Sequence, residues 1–402
     1  MNRRLLISVL TFCIGIMMQP VCHASHLISD SLPGEFSGKL PWRIGMEVAP
    51  AYVLPTNTFL QGDNILSHRV DASLTTTLRG DFCFNPRSST GMLYHGLYQG
   101  VGVDIRTFFS SRLLATPVSL YVYQGAPFKH FTKNLWLGYE WRFGAAMVWE
   151  DRSGDRMEGY LNSAISTRVT AHMGVSLKLH YNVSDRFQLT AGVDATHFSN
   201  GNTSFPNSGI NTIGVSLGAS YLINGGEEYV DPDPELISEA DKTRWMWDIL
   251  AYGAWRRRHV IIEGIETLLP KKYGVGGIQF SPMIKINRWF SAGMAIDFQY
   301  DHGAGLEPYW EGGYYDNAVF GTPSFREKIR VGAGGIAELT MPIFKVGAGL
   351  GYDIVSPKGD MRFFQQLYIK AFVTHHVYLN VGYRLGNFKD PQNLMRGVGV
   401  RL

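Results

Sequence analysis

The chain has 402 residues, a formal net charge of +3 and an isoelectric point near 8.6, with 45 glycines, 13% aromatic residues and three cysteines. So mild a balance excludes the basic footprint of a nucleic-acid binder, and no nucleic-acid partner is expected. Past the first two dozen residues no stretch reaches the ~18 uninterrupted apolar residues of a membrane helix, so strands are the only means of crossing a bilayer.

The chain opens Met1-Asn2-Arg3-Arg4, runs through apolar residues 5–18 and reaches Cys22-His23-Ala24. A basic start, a short apolar middle and small residues before a cut predict a secretory signal peptide, cleaved after Ala24. Gln19-Pro20-Val21 disfavours the rival reading of a lipid anchor at Cys22. Cleavage removes Cys13 and Cys22 and leaves Cys83 with no intrachain partner, so no disulfide framework holds the exported protein together.

Alternation at period two recurs through the remaining chain. Trp42, Ile44, Met46, Val48 and Tyr52 oppose Arg43, Gly45, Glu47 and Ala49. Leu135, Leu137, Tyr139, Trp141 and Phe143 oppose Gly138, Glu140, Arg142 and Gly144, and Phe290, Met294, Ile296 and Phe298 oppose Ser291, Gly293, Asp297 and Gln299. Successive side chains on a strand point to opposite sides. Charged and small residues on one face, with Leu, Trp and Tyr on the other, give the inverted arrangement of a barrel in lipid. The predicted fold class is all-β, a transmembrane antiparallel β-barrel of the outer membrane.

About sixteen strands are predicted. They fall at 42–53, 68–82, 97–108, 117–125, 133–150, 163–182, 186–198 and 211–222, then at 244–263, 272–286, 289–302, 326–341, 344–355, 363–375, 377–385 and 394–402. Connections at 182–185, 286–289, 341–344 and 375–376 are tight, whereas 151–162, 199–210 and 303–325 are longer and polar. Short periplasmic turns and long outer loops are the barrel pattern. The parity places both termini in the periplasm and the 199–210 loop at the cell exterior. Residues 225–243, acidic and proline-containing, break that pattern and read as a linker. The halves end alike, in GINTIGVSLGASYL and NLMRGVGVRL, as a degenerate duplication would. The expected organisation is a signal peptide at 1–24, an eight-strand barrel over 25–224, a periplasmic linker at 225–243 and a second eight-strand half over 244–402. A single sixteen-strand barrel is the alternative.

The functional signal lies between Arg186 and Leu222. Phe187, Leu189, Ala191, Val193 and Ala195 share a face that continues into His197 and Ser199, and Asn211 heads the face of Ile213, Val215, Leu217, Ala219 and Tyr221. Roughly 9–11 tilted residues cross the hydrocarbon core, so His197 and Ser199 reach its outer boundary, level with acyl ester linkages. A serine attacks an ester carbonyl when a base takes its proton, and imidazole titrates in the right range. Asn211 is placed to orient His197. Asn200, or backbone N–H groups of the loop that contains Gly201 and Asn207, can hold an oxyanion.

The run His197-Phe198-Ser199-Asn200, followed by Pro206-Asn207-Ser208-Gly209-Ile210-Asn211, resembles the signature of the lipid A 3-O-deacylase family. These are eight-stranded outer-membrane enzymes also grouped with acyloxyacyl hydrolases. Their pattern is His-x-Ser-Asn, then Pro-Asn-x-Gly-Ile and an acidic residue, at the same spacing. The likeness runs back more loosely to residue 42 and covers the first half only. It implies that His197 is the base, Ser199 the nucleophile and Asn200 an oxyanion contributor, and that lipid A of outer-leaflet lipopolysaccharide is the substrate. The chain departs from the pattern at Asn211, where the family carries glutamate. An amide oxygen accepts Nδ1–H and orients the ring, as in Cys-His-Asn hydrolases, without a full charge for the imidazolium. Turned the other way it selects the wrong tautomer, a loss of about 10⁴ in rate. Asp194 lies on the opposite face and does not substitute.

The remaining signals have structural readings. Glu140 and Arg142 share the inner face as an ion pair or cross-barrel contacts. Arg256, Arg257, Arg258, Lys271 and Lys272 read as lumen and rim charges rather than phosphate contacts. His375 and His376 point apart and lack carboxylate or cysteine partners at ligand spacing, so no metal is assigned. Trp42, Trp245, Trp247, Trp289 and Trp310 sit where interfacial anchors belong. The expected protein is an outer-membrane esterase that removes an ester-linked acyl chain of lipid A by a Ser-His mechanism without a cofactor. The second half lacks His-x-Ser near Arg384 to Asn387 and is given a structural or substrate-positioning part. The rival functions are a porin-like channel, which needs one wide barrel, and a catalytically inactive envelope scaffold.

Overall fold

The computed structural model describes residues 41–149, 164–201, 203, 208–223, 233–262, 265–305, 308–310, 318–320, 323–357, 360–388 and 390–402. The expected signal segment, the first part of the expected linker, and Asn207 lie outside them. So do the side chains of Arg257, Arg258 and Trp310.

The chain forms two closed antiparallel barrels of eight strands each. The first contains β1 (Trp42–Val53), β2 (Ala72–Cys83), β3 (Tyr98–Thr107), β4 (Val118–His130), β5 (Leu135–Met147), β6 (Val169–Asn182), β7 (Phe187–Ser199) and β8 (Ile210–Leu222). Each pairs with its neighbour in sequence, and β8 returns to β1, matching Tyr221 to Ile44 and Leu217 to Val48. Short helices α1 (Thr58–Gln61) and α2 (Ser89–Leu93) interrupt the connections after β1 and β2, and α3 (Pro234–Ala240) precedes the second barrel. That barrel begins with β9 (Arg244–Ile262), β10 (Ile265–Lys285) and β11 (Phe290–Asp301). A small hairpin of β12 (Pro308–Trp310) and β13 (Ala318–Phe320) follows. The barrel resumes with β14 (Ile329–Thr340), β15 (Phe344–Val355), β16 (Phe363–Phe372), β17 (Val377–Gly386) and β18 (Asp390–Arg401), which closes against β9.

Every expected strand is present, and the single sixteen-strand barrel is overturned. β8 satisfies its outer edge on β1 instead of β9, so each set of eight closes and leaves no open edge. Three boundaries differ from expectation by five residues or more, and of these β6 starts at Val169 rather than 163. β10 starts at Ile265 rather than 272, because its pairing with β9 continues across a register shift between Leu268 and Lys272. β4 continues past 125 to His130 through a shift between Pro127 and Lys129.

Both barrels are apolar outside and charged inside. Met46, Val175, Val193 and Leu217 stand exposed on the outer wall, while Glu47, Arg79, Glu140 and Lys178 are buried. The first lumen is filled in layers. Cys83, Tyr98, Tyr121, Tyr123 and Trp136 cluster towards one end. In the middle Arg79 donates to Glu140 at 2.5 Å, Arg43 to Asp81 at 2.5 Å and Tyr123 to Asp81 at 2.7 Å, while Lys178 pairs with Glu47 and Arg142 with Asp194. At the other end Val53, Leu60, Phe108, Trp149, Ile165, Phe198 and Ile210 form an apolar plug. The second lumen is equally polar. Arg384 donates to Asp297 at 2.8 Å and to Asp353 at 2.5 Å, and Arg401 reaches Asp248 at 2.6 Å and Glu338 at 2.7 Å. Eight strands give an interior that side chains fill, so the wide pore required by the channel reading does not exist here.

The structural readings of Glu140, Arg142 and Arg256 hold in this setting. Glu140 and Arg142 take cross-barrel partners, and Arg256 is a buried lumen charge donating to the Gln392 carbonyl at 2.6 Å. The His376 ring engages the Arg401 carbonyl at 2.9 Å. Trp245 and Trp247 stack on the outer wall with ring centroids 6.2 Å apart.

Candidate active site

Three connections of the first barrel lock together where β7 ends and β8 begins. The Gly209 N–H, just before β8, donates to the Ala164 carbonyl at 3.0 Å. The Asn57 side chain, from the connection after β1, donates to the Gly209 carbonyl at 3.1 Å. The Leu54 N–H donates to the Asn211 carbonyl at 2.8 Å. Asn57 also accepts the Leu60 N–H as the N-cap of α1, which fixes the side of its amide that faces Gly209.

Within this frame His197 and Asn211 are direct partners across the β7–β8 ladder. Directly opposed residues hold their Cβ atoms about 4.5–5.5 Å apart, so the two side chains meet. His197 Nδ1 donates to Asn211 Oδ1 at 2.6 Å, and Asn211 Nδ2 donates to Thr56 Oγ1 at 3.2 Å. The amide therefore presents oxygen, not NH2, to the imidazole, and Nε2 is left as the basic nitrogen. Gly209 has a left-handed backbone, φ +72°, and a Cβ there would lie 3.0 Å from His197 Cε1 and 2.9 Å from the Phe198 carbonyl oxygen. The ring thus packs against bare backbone, which only glycine supplies.

Ser199 follows two residues after His197, on the same strand face, with Ala171 of β6 opposite. The pair is more sheltered than an open position on the wall would be. Ser199 is 4% exposed and His197 half-buried, because the strand ends where the three connections gather. Among the described residues no hydrogen bond joins the serine hydroxyl to the imidazole; such bonds are often long before substrate arrives. Asn200 is buried, and its Nδ2 donates to Ser166 Oγ at 3.2 Å, which ties it to the connection before β6. Gly201 takes the left-handed turn that follows, at φ +62°. On the lumen side Phe198 stacks on His172 at 4.9 Å and meets Trp149 at 5.7 Å. Asp194 is held by Arg142 and Ser176 in the lumen, away from His197.

His197 and Asn211 are thus brought together as the strand phase implied, and Ser199 lies two residues further along the same strand face. Thr56, Asn57 and Ser166 were not anticipated. Asn57 has a local signal, being an N-cap residue before Thr58-Phe59-Leu60-Gln61. Thr56 has none, since its partner lies 155 residues away.

A family profile described as lipid A 3-O-deacylase matches residues 114–220, and another described as acyloxyacyl hydrolase, C-terminal domain, matches residues 245–402. The chain belongs to the lipid A 3-O-deacylase family. Membership reaches further than the expected first half: the second barrel matches the family's C-terminal domain, though it repeats no His-x-Ser. This deacylase-family chain is accordingly an outer-membrane barrel protein of a hydrolase family. No curated protein matches it. Among solved structures, Neisserial surface protein A is 12% identical over 45% of this chain and 96% of that one, with a TM-score of 0.28. CdiB from Acinetobacter baumannii is 10% identical over 90% of this chain and 60% of that one, with a TM-score of 0.18. Scores so low carry no weight, and the fold rests on the strand pairing itself.

Proposed function

We propose that the protein is an outer-membrane esterase that hydrolyses an ester-linked acyl chain of lipid A. Ser199 is the nucleophile, His197 the general base and Asn211 the group that orients His197. The observation that carries this reading is the His197–Asn211 bond, which engages Nδ1–H and leaves Nε2 as the basic nitrogen of the ring.

His197 Nε2 takes the Ser199 proton as Oγ attacks the ester carbonyl. The tetrahedral oxyanion is held by the Asn200 amide and by the backbone N–H of the turn at Gly201. Collapse breaks the bond to the sugar oxygen, which leaves with the proton from His197. Water, deprotonated by His197, then releases the fatty acid and restores Ser199. The apolar wall of Val193, Ala195 and Ile213 leads up to this position, so the acyl chain approaches through the lipid. The loop end of the barrel faces the cell exterior in this account, and the signal peptide of residues 1–24 directs export. No metal or other cofactor takes part in this scheme.

Mass spectrometry of lipid A from cells expressing the wild type, Ser199→Ala or His197→Ala tests the proposal. Loss of one hydroxyacyl chain in the wild type alone is expected. Identical spectra from all three would reject it and leave the inactive scaffold.

A further inference from the structure

We infer that Thr56 is the positioning residue that sets the sense of the Asn211 amide, and through it the tautomer of His197. The inference rests on the proposed role of His197. A carboxylate at position 211 presents oxygen whichever way it is turned, but a carboxamide has an oxygen and an NH2 end of nearly equal shape. An asparagine that orients a base therefore needs something to choose between them. Here the choice is made outside the strand pair. Asn211 Nδ2 meets Thr56 Oγ1 at 3.2 Å, and the Oδ1 end is thereby turned to His197 Nδ1.

The hydroxyl is itself held in place. The Leu54 N–H bonds to the Asn211 carbonyl, the Thr56 N–H to the Leu54 carbonyl at 2.8 Å, and the Asn57 side chain to the Gly209 carbonyl. Asn57 cannot swing away without uncapping α1 at Leu60. The connection after β1 thus grips β8 on both sides of Thr56 and holds its hydroxyl at the amide. If the amide reversed, NH2 would face the imidazole, Nδ1 would have to accept, and the proton would sit on Nε2, where the serine needs a base.

The test compares Thr56→Val, which keeps shape and loses the acceptor, in the Asn211 protein and in Asn211→Asp, whose carboxylate has no wrong side. In the Asn211 protein Thr56→Val should lower kcat for lipid A ester hydrolysis about fivefold, the usual net worth of one neutral hydrogen bond, with KM unchanged. Thr56→Ser should restore it. In Asn211→Asp the same change should cost less than about twofold. Equal losses in both backgrounds would overturn the inference and leave Thr56 as loop packing. A second readout does not depend on turnover. The ¹⁵N spectrum of His197 in the full-length protein in micelles, assigned with His197→Gln, should show Nδ1–H in the wild type and a growing Nε2–H form in Thr56→Val. An unchanged tautomer would refute the role of Thr56, whereas a wild type without esterase activity but with the expected tautomer shift would refute only the proposed function.

Discussion

Replacing Asn211 by aspartate isolates what the family's carboxylate supplies and this chain lacks. The two side chains have the same shape, so Nδ1 of His197 keeps an oxygen partner near the observed 2.6 Å. What changes is charge. A neutral hydrogen bond contributes about 1 kcal/mol net, and one to a charged group about 1.5–3 kcal/mol. The gain of roughly 1–1.5 kcal/mol appears only once His197 is protonated in the transition state, so it enters kcat at about tenfold per 1.36 kcal/mol. Asn211→Asp should therefore raise kcat roughly tenfold, with KM little altered. The gain stays far below the ~10⁴ that a wrong tautomer costs, because the amide is already turned the right way. Fatty-acid release from lipid A in mixed micelles, followed to saturation, measures both constants. A kcat that is unchanged or lower in a folded Asn211→Asp barrel would show that no positive charge develops on His197, and the assignment of the base would fail.

Gly209→Ala forces a Cβ against His197 Cε1 and the Phe198 carbonyl at a positive φ; kcat should fall at least about tenfold, since small misplacements of a reacting group are costly, while heat-modified gel mobility still reports a folded barrel. Lys178→Met strips the cation from Glu47 and leaves Glu140, 3.3 Å away, with less compensation. Removing one partner of such a buried pair costs about 3–5 kcal/mol, so the urea midpoint in micelles should drop well below that of the wild type. In planar bilayers the protein should give no large stable conductance, because both lumens are filled by buried ion pairs; a steady large current would contradict the closed interiors.

The barrels were legible because their signal is periodic. A strand with Phe187, Leu189 and Val193 on one side and Gln188, Asp194 and Thr196 on the other has one way to lie in lipid, and the same phase carries His197 and Ser199 to the rim. Asn211 was legible too, because ladder pairing across a ten-residue loop puts it opposite His197. Closure at eight strands was less so: the match of β8 to β1 is set by residues such as Leu217 and Val48, which carry no mark of their partner. Thr56 and Asn57 were hidden for the same reason, reaching Asn211 and Gly209 from more than 150 residues away. The buried lumen pairs show the same limit. Lys178 is plainly inward by phase, but that Glu47 receives it follows only from the closed cylinder.

The central claim is a covalent step at Ser199. Purified full-length protein mixed with a long-chain hydroxyacyl ester and quenched in acid should carry one acyl group, mapped by peptide mass spectrometry to Ser199 and absent from Ser199→Ala. Fatty acid released by Ser199→Ala at the wild-type rate, or an adduct on another residue, would contradict it.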